Sequence, residues 1–148
     1  MAEVLFYHLT LSTLEEALPS LLERTLQRGW RAVVQTGSDE RRGALDAHLW
    51  VYRDDSFLAH GNDGEPHAEV QPILLTTEQS NPNTATVRFF VDRAVPHSPE
   101  AYQRLVYMFS GHDPEAVAEA RQAWRELRGG NTVTYWQQEP DGRWSKKA

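Results

Sequence analysis

Short apolar runs alternate with amphipathic helical stretches along this chain, and that alternation restricts the fold more than any other feature. Residues 4–9 form a nearly continuous apolar run with aromatics, as expected of a buried strand. Ser12 and Glu15 have capping-box spacing, which predicts a helix start. Leu14, Leu18, Leu21 and Leu22 then mark one helical face. Pro19 is expected either to interrupt that helix or to begin its main part. Gly29 closes it, residues 30–35 read as a second strand, and Ser38 can cap a second helix running to about Trp50.

Residues 53–70 carry Asp, Gly, Asn, Pro and His with little apolar periodicity and read as a loop. Strands are predicted over 73–76 and 87–91, with a turn at Asn81-Pro82-Asn83 and a break from Pro96 to Pro99. Tyr102, Leu105, Val106 and Phe109 fall on one helical face, predicting a helix that ends at Gly111. Asp113 as cap and Pro114 in the first turn start the next helix, which Gly129-Gly130 ends. Residues 132–138 alternate as a strand, and residues 139–148 read as a polar tail on a single domain of residues 1–138. The order β-α-β-α-β-β-α-α-β favours an α/β, Rossmann-like three-layer domain, a mostly parallel central sheet with helices on both faces.

Composition removes several function classes. At 148 residues the chain is long enough for one core. It has no cysteine, hence no disulfide, thiolate metal site or cysteine nucleophile. No apolar run nears the roughly 20 residues needed to span a bilayer. No basic segment leads into an apolar stretch at the N-terminus, so no secretory signal is expected, and the expected location is cytoplasmic. A formal charge of −6 argues against general nucleic-acid binding. The first strand-to-helix turn, Leu9-Thr10-Leu11-Ser12, has no glycine and therefore no phosphate-binding glycine loop. No GxxxxGK[ST] or GxSxG motif occurs, and no cofactor is expected.

His60 and His67, near Asp63 and Glu65, are candidate metal ligands, the basis of a rival reading as a metal-dependent nucleotide or phosphoester enzyme. Their spacing matches no helical pair or finger, and a polar surface loop is the favoured reading. Asp54-Asp55 reads as a solvated turn.

The helix from Pro114 to Arg128 is more informative. At about 100° per residue, Ala116, Ala120, Ala123 and Leu127 share a narrow arc suited to packing on a sheet. Beside it lies an arc of Val117, Arg121, Trp124 and Arg128, with Arg125 at its edge. Guanidinium forks and an indole suit a ligand both acidic and aromatic, such as a peptide C-terminus. Two other readings remain: Trp124 in the core with its arginines solvated or paired to glutamates, or an arc that stacks single-stranded nucleic acid directly. A second patch is Trp50, which points about 140° from Leu45 and about 100° from Leu49. Phe57 follows in the loop, and the two aromatics are candidates for a partner surface.

Several pieces, spread in order along the chain, carry a family resemblance. They are Phe6-Tyr7, Gly29-Trp30-Arg31, Leu45-Asp46-x-x-Leu49-Trp50 and Ser56-Phe57-x-x-His60. Gln71-Pro72-Ile73, Arg121-x-x-Trp124-Arg125 and Tyr135-Trp136-Gln137-Gln138 complete the set. The sequence resembles the chi subunit of bacterial DNA polymerase III. The resemblance implies a Rossmann-like, noncatalytic accessory subunit of the replicative holoenzyme. It further implies binding of the acidic, phenylalanine-ended tail of the single-stranded DNA-binding protein, with Arg121, Trp124, Arg125 and Arg128 at the matching positions. Val117 stands where the family can have a basic residue. Trp50 and Phe57 match the positions that in the family bind the psi subunit or a competing helicase partner. Contact with nucleic acid would then be indirect, and no membrane is involved.

Overall fold

A computed structural model describes residues 2–51 and 58–148. An eight-stranded sheet carries strands β1 (Glu3–Leu9), β2 (Ala32–Gln35), β3 (His60–Asn62), β4 (Ile73–Thr76), β5 (Val87–Phe90), β6 (Arg104–Ser110), β7 (Thr132–Gln138) and β8 (Trp144–Lys146), in the order β3-β4-β2-β5-β6-β1-β7-β8. All neighbours are parallel except β7 and β8. Helices α1 (Leu14–Gln27) and α2 (Asp39–Val51) cover one face, where Leu18, Leu22, Leu45 and Leu49 meet Val34, Ile73 and Leu75. Helix α3 (Pro114–Leu127) covers the other, setting Ala116, Ala120 and Ala123 on Val4, Phe6 and Leu105. This is the three-layer α/β arrangement that the alternating pattern predicts. No described helix is long and apolar enough to cross a membrane.

Four local expectations need correction. The capping box of α1 uses Thr13 and Glu16, not Ser12 and Glu15: Glu16 N–H donates to Thr13 Oγ1 (3.3 Å) and Thr13 N–H to Glu16 Oε1 (2.9 Å). Pro19 neither interrupts α1 nor begins it. Its missing N–H would have bonded the Glu15 carbonyl, and His48 of α2 fills that vacancy, its Nε2 donating at 2.7 Å. Within the expected 53–70 loop, His60–Asn62 forms the edge strand β3, paired with β4. Tyr102, Leu105, Val106 and Phe109 do not lie on a helix. Residues 104–110 are strand β6, an inner strand between β5 and β1.

The expected polar tail is also part of the sheet. Glu139-Pro140-Asp141-Gly142 forms a tight turn, with Gly142 at φ 88° and its N–H on the Glu139 carbonyl (2.9 Å), and β8 returns antiparallel to β7. Trp144 stands edge-on to Tyr7, with ring centres 5.1 Å apart. The Pro-Asp-Gly sequence is the local signal for this turn.

Gln138, the last residue of β7, closes the glycine-free turn after β1. Its Oε1 accepts from Leu11 N–H (3.0 Å) and Ser12 N–H (2.8 Å), its Nε2 donates to Ser12 Oγ (2.8 Å), and its carbonyl accepts from Thr10 Oγ1 (2.6 Å). Gln138→Ala strips two backbone donors of their acceptor in a part-buried turn, and a stability loss of about 1–3 kcal/mol is expected in urea denaturation. A loss below about 1 kcal/mol would mean that solvent takes over both bonds.

Candidate binding groove

Helix α3 begins at Asp113, whose Oδ1 accepts from Glu115 N–H (3.0 Å) and Ala116 N–H (3.3 Å), with Pro114 in the first turn, where its missing N–H costs no helical bond. Its alanine face and Leu127 are buried against β6 and β1, as helical spacing predicts. That packing fixes the rotation of the helix, and so the direction of the neighbouring arc.

Trp124 is half-buried. One edge meets Phe6 (ring centres 5.6 Å, 71°) and Tyr135 (5.6 Å, 80°), while the ring also lines an open groove of about 450 Å³. Arg121, Arg125 and Arg128 of the same helix line that groove, as do Tyr135 of β7 and Ala148. Of the residues singled out on the helix, Val117 lies elsewhere: it packs on the core under α3 and does not line the groove. Core packing and groove lining are therefore both properties of the one indole.

The glutamates of α3 do not neutralise these arginines. Glu115 and Glu119 pair with Arg93 of the loop after β5 (3.2 and 2.8 Å), and Glu126 accepts from Gln122 (2.8 Å). Among the described residues no carboxylate comes within ion-pair distance of Arg121, Arg125 or Arg128. Three unpaired guanidinium groups thus surround one indole on a chain of net charge −6. The charge of Arg121 reaches inward. Burial pushes the Tyr135 hydroxyl up while Arg121 pulls it down, and His8, hydrogen-bonded to that hydroxyl through Nδ1 (2.7 Å), is pushed below the usual imidazole range by burial, with Arg121 and His112 adding to the effect.

Sequence spacing did not bring Tyr135 into this site. The signal was there: alternation along β7 puts Val133 and Tyr135 on the face that α3 covers. Ala148 arrives through β8, its main-chain carboxylate oxygen accepting from Tyr135 N–H (3.2 Å).

Trp50 stands at the end of α2, 53% exposed, its ring 4.7 Å from that of His60. Phe57, Asp54 and Asp55 lie outside the described residues. His60 is buried, with Nδ1 facing the Leu58 carbonyl (2.8 Å) and Nε2 facing Asp46 Oδ1 (2.8 Å), so both ring nitrogens are committed. His67 is exposed in the turn before residues 68–70, and no group of three or more potential ligands that could hold a metal occurs among the described residues.

Fold and groove together define a doubly wound α/β domain whose glycine-free first strand-to-helix turn is closed by Gln138 and whose exposed cationic groove sits on the helix of the opposite layer. Residues 1–133 match the family model described as DNA polymerase III chi subunit, HolC. A curated relative, "Probable DNA polymerase III subunit chi" of Rickettsia prowazekii (strain Madrid E), is 30% identical over 87 residues, 59% of this chain and 53% of the relative. The matched stretch thus spans about half the length of that relative. The chain belongs to the DNA polymerase III chi subunit family.

Proposed function

We propose that the chain is a noncatalytic accessory subunit of the DNA polymerase III holoenzyme in DNA replication. In this role it links the clamp loader to the single-stranded DNA-binding protein by holding that protein's acidic C-terminal tail. The observation that carries the reading is the unpaired Arg121, Arg125 and Arg128 around the groove-lining ring of Trp124. The guanidinium groups attract and orient the tail carboxylates, and the indole supports the terminal aromatic side chain. Such exposed charges give fast, salt-sensitive and modest binding. Trp50, with Phe57, provides the second surface, toward psi, another clamp-loader subunit or a helicase. Joining two partners through one rigid domain raises their local concentration.

The test is a fluorescence titration with an acidic, phenylalanine-ended peptide. Arg121→Ala is expected to weaken binding about tenfold at low salt, equivalent to about 1.4 kcal/mol, without lowering stability. The wild-type affinity is expected to fall as salt rises, and Trp50→Ala to leave it unchanged. Equal affinity of the Arg121 variant and the wild type would refute the groove as the tail site. Tight binding of a bare oligonucleotide at the same groove would favour direct nucleic-acid stacking instead.

A further inference from the structure

Strand β7 turns alternate side chains to opposite faces of the sheet, Tyr135 to the α3 groove and Trp136 to the face that carries α1. On that second face a channel runs between the flank of α1 and strands β1, β7 and β8. Its wide part is an open groove of about 540 Å³ whose lining includes Tyr7, Arg24, Arg28, Arg104, Trp136 and Lys146. A narrower part of about 290 Å³ shares Tyr7, Arg24 and Trp136 with it and reaches Glu16 and Trp144. From Glu16 to Arg28 the channel follows about 18 Å of helix at 1.5 Å per residue. A site that long and open suits a segment of polymer better than a compact small molecule.

The wide part is cationic, on a chain of net charge −6. Arg24, Arg28 and Lys146 are exposed, and among the described residues no carboxylate lies within ion-pair distance of any of them. Glu3 is the one carboxylate among the described residues of that lining, and Arg104 Nε holds it at 2.6 Å. Trp30 braces two of the cations: the guanidinium carbons of Arg28 and Arg104 lie 5.0 and 5.2 Å from its ring centre. Arg24 stands one helical turn before Arg28, so both face the same way. Their charge reaches the neighbouring ring: burial raises the Tyr7 hydroxyl, while Arg104 and Arg24 pull it down.

Trp136 supplies a flat surface among these charges. The register sets Tyr7 on one side of it and Lys146 on the other, with all three on one face. Among the described residues no other ring and no cation stacks on the Trp136 indole, whereas Trp124 is engaged by Phe6 and Tyr135. Thr25, Gln27 and Thr134 add hydrogen-bonding groups to the lining. Free cations beside an open indole, with polar groups between, form the combination that follows a phosphate backbone and stacks its bases. A run of acidic side chains would meet the cations alone.

We propose that the channel between α1 and strands β1, β7 and β8 binds single-stranded nucleic acid directly, with Arg24, Arg28 and Lys146 facing its phosphates and a base stacked on Trp136. The formal charge of the chain opposes binding over the surface as a whole, so the contact is confined to this channel, weak and steeply salt-dependent. The site lies on the opposite face of the sheet from the Arg121–Trp124 groove and stands independently of the tail-binding reading.

The test is fluorescence anisotropy of a labelled oligodeoxythymidylate, about eight nucleotides long, titrated with the full chain. A Kd of about 10–100 μM is expected at about 50 mM salt, with a log–log salt slope of about −2 for three neutralised phosphates. Arg24→Glu combined with Arg28→Glu, both at exposed positions, should weaken binding at least about tenfold while the urea midpoint stays near that of the wild type. Lys146→Gln, on a different element, should weaken it about threefold, whereas Arg93→Gln, the same loss of charge outside the channel, should change it less than about 1.5-fold. An abasic strand of equal length, with the phosphates and no bases, should bind at least about fivefold more weakly. Absence of saturable binding, undiminished binding by the folded Arg24/Arg28 variant, equal weakening by Arg93→Gln and Lys146→Gln, or equal binding of the abasic strand would each overturn the proposal. Displacement of the oligonucleotide by an equal concentration of hexaglutamate would overturn it in favour of an acidic protein segment.

Discussion

Arg88→Ala is expected to destabilise the domain by about 3–5 kcal/mol, the largest effect of any single side-chain truncation considered for this chain. Arg88 lies in β5 and is fully buried. Its Nε and Nη2 donate to Gln35 Oε1 (3.2 and 2.7 Å), its Nη1 to the Ser80 carbonyl (2.8 Å) and the Tyr102 hydroxyl (2.9 Å), and its Nη2 also to the Glu78 carbonyl (2.5 Å). None of these partners is a carboxylate, so burial pushes the guanidinium below its ordinary range, opposed by the Tyr102 hydroxyl. The rings of Phe90 and Tyr102 flank it, each 5.7 Å from the guanidinium carbon. One side chain thus ties β2, the 78–80 loop and the Tyr102 segment to the middle of the sheet. Alanine leaves a cavity and several acceptors without donors at once.

Urea denaturation of the wild type and the variant measures this directly, as a shift in midpoint at constant slope. Arg88→Met is the companion variant. It restores volume and removes the buried charge, so it should recover part of the loss but not the bonds to Ser80 and Glu78. A cost below about 1 kcal/mol for the alanine variant would show that water enters and replaces the guanidinium.

Trp124→Ala is expected to act on two measurements together. Stability should fall by about 2–3 kcal/mol, less than for a fully buried tryptophan because part of the ring faces the groove. Affinity for the acidic tail peptide should fall by more than tenfold, since a large aromatic amid basic groups is the kind of side chain that dominates a small interface. Trp124→Phe separates the effects: it retains contact with Phe6 and Tyr135 and should recover most of the stability. The arginine variant described above moves affinity alone. A Trp124→Ala protein that is destabilised but binds the peptide as well as the wild type would leave the indole with a purely structural role.

Much of this was legible because helix periodicity is a local property. The spacing of Ala116, Ala120, Ala123 and Leu127 defined the buried face of α3, and so put Arg121, Trp124 and Arg128 on an adjoining face. The Asp113-Pro114 start was equally local. Residues 102–109 misled for the opposite reason. Tyr102, Leu105, Val106 and Phe109 fit a helical spacing, but β6 is an inner parallel strand buried on both faces, so its sequence shows no polar alternation to contradict a helix. The 139–148 segment was misread because its polar composition outweighed the Pro-Asp-Gly turn that returns Trp144 to the sheet.

By itself, the sequence determined the alternating α/β order, the faces of α3 and the lack of a glycine-rich phosphate turn, because each depends on residues within a few positions of one another. Only the tertiary structure decided that the glutamates of α3 are engaged by Arg93, leaving its arginines unpaired, and that Tyr135 closes the groove. It alone placed Gln138 in the first turn and Trp136 in one channel with Arg24 and Arg28. Those pairings join residues tens of positions apart, and the sheet order that brings them together is set by the packing of the whole chain.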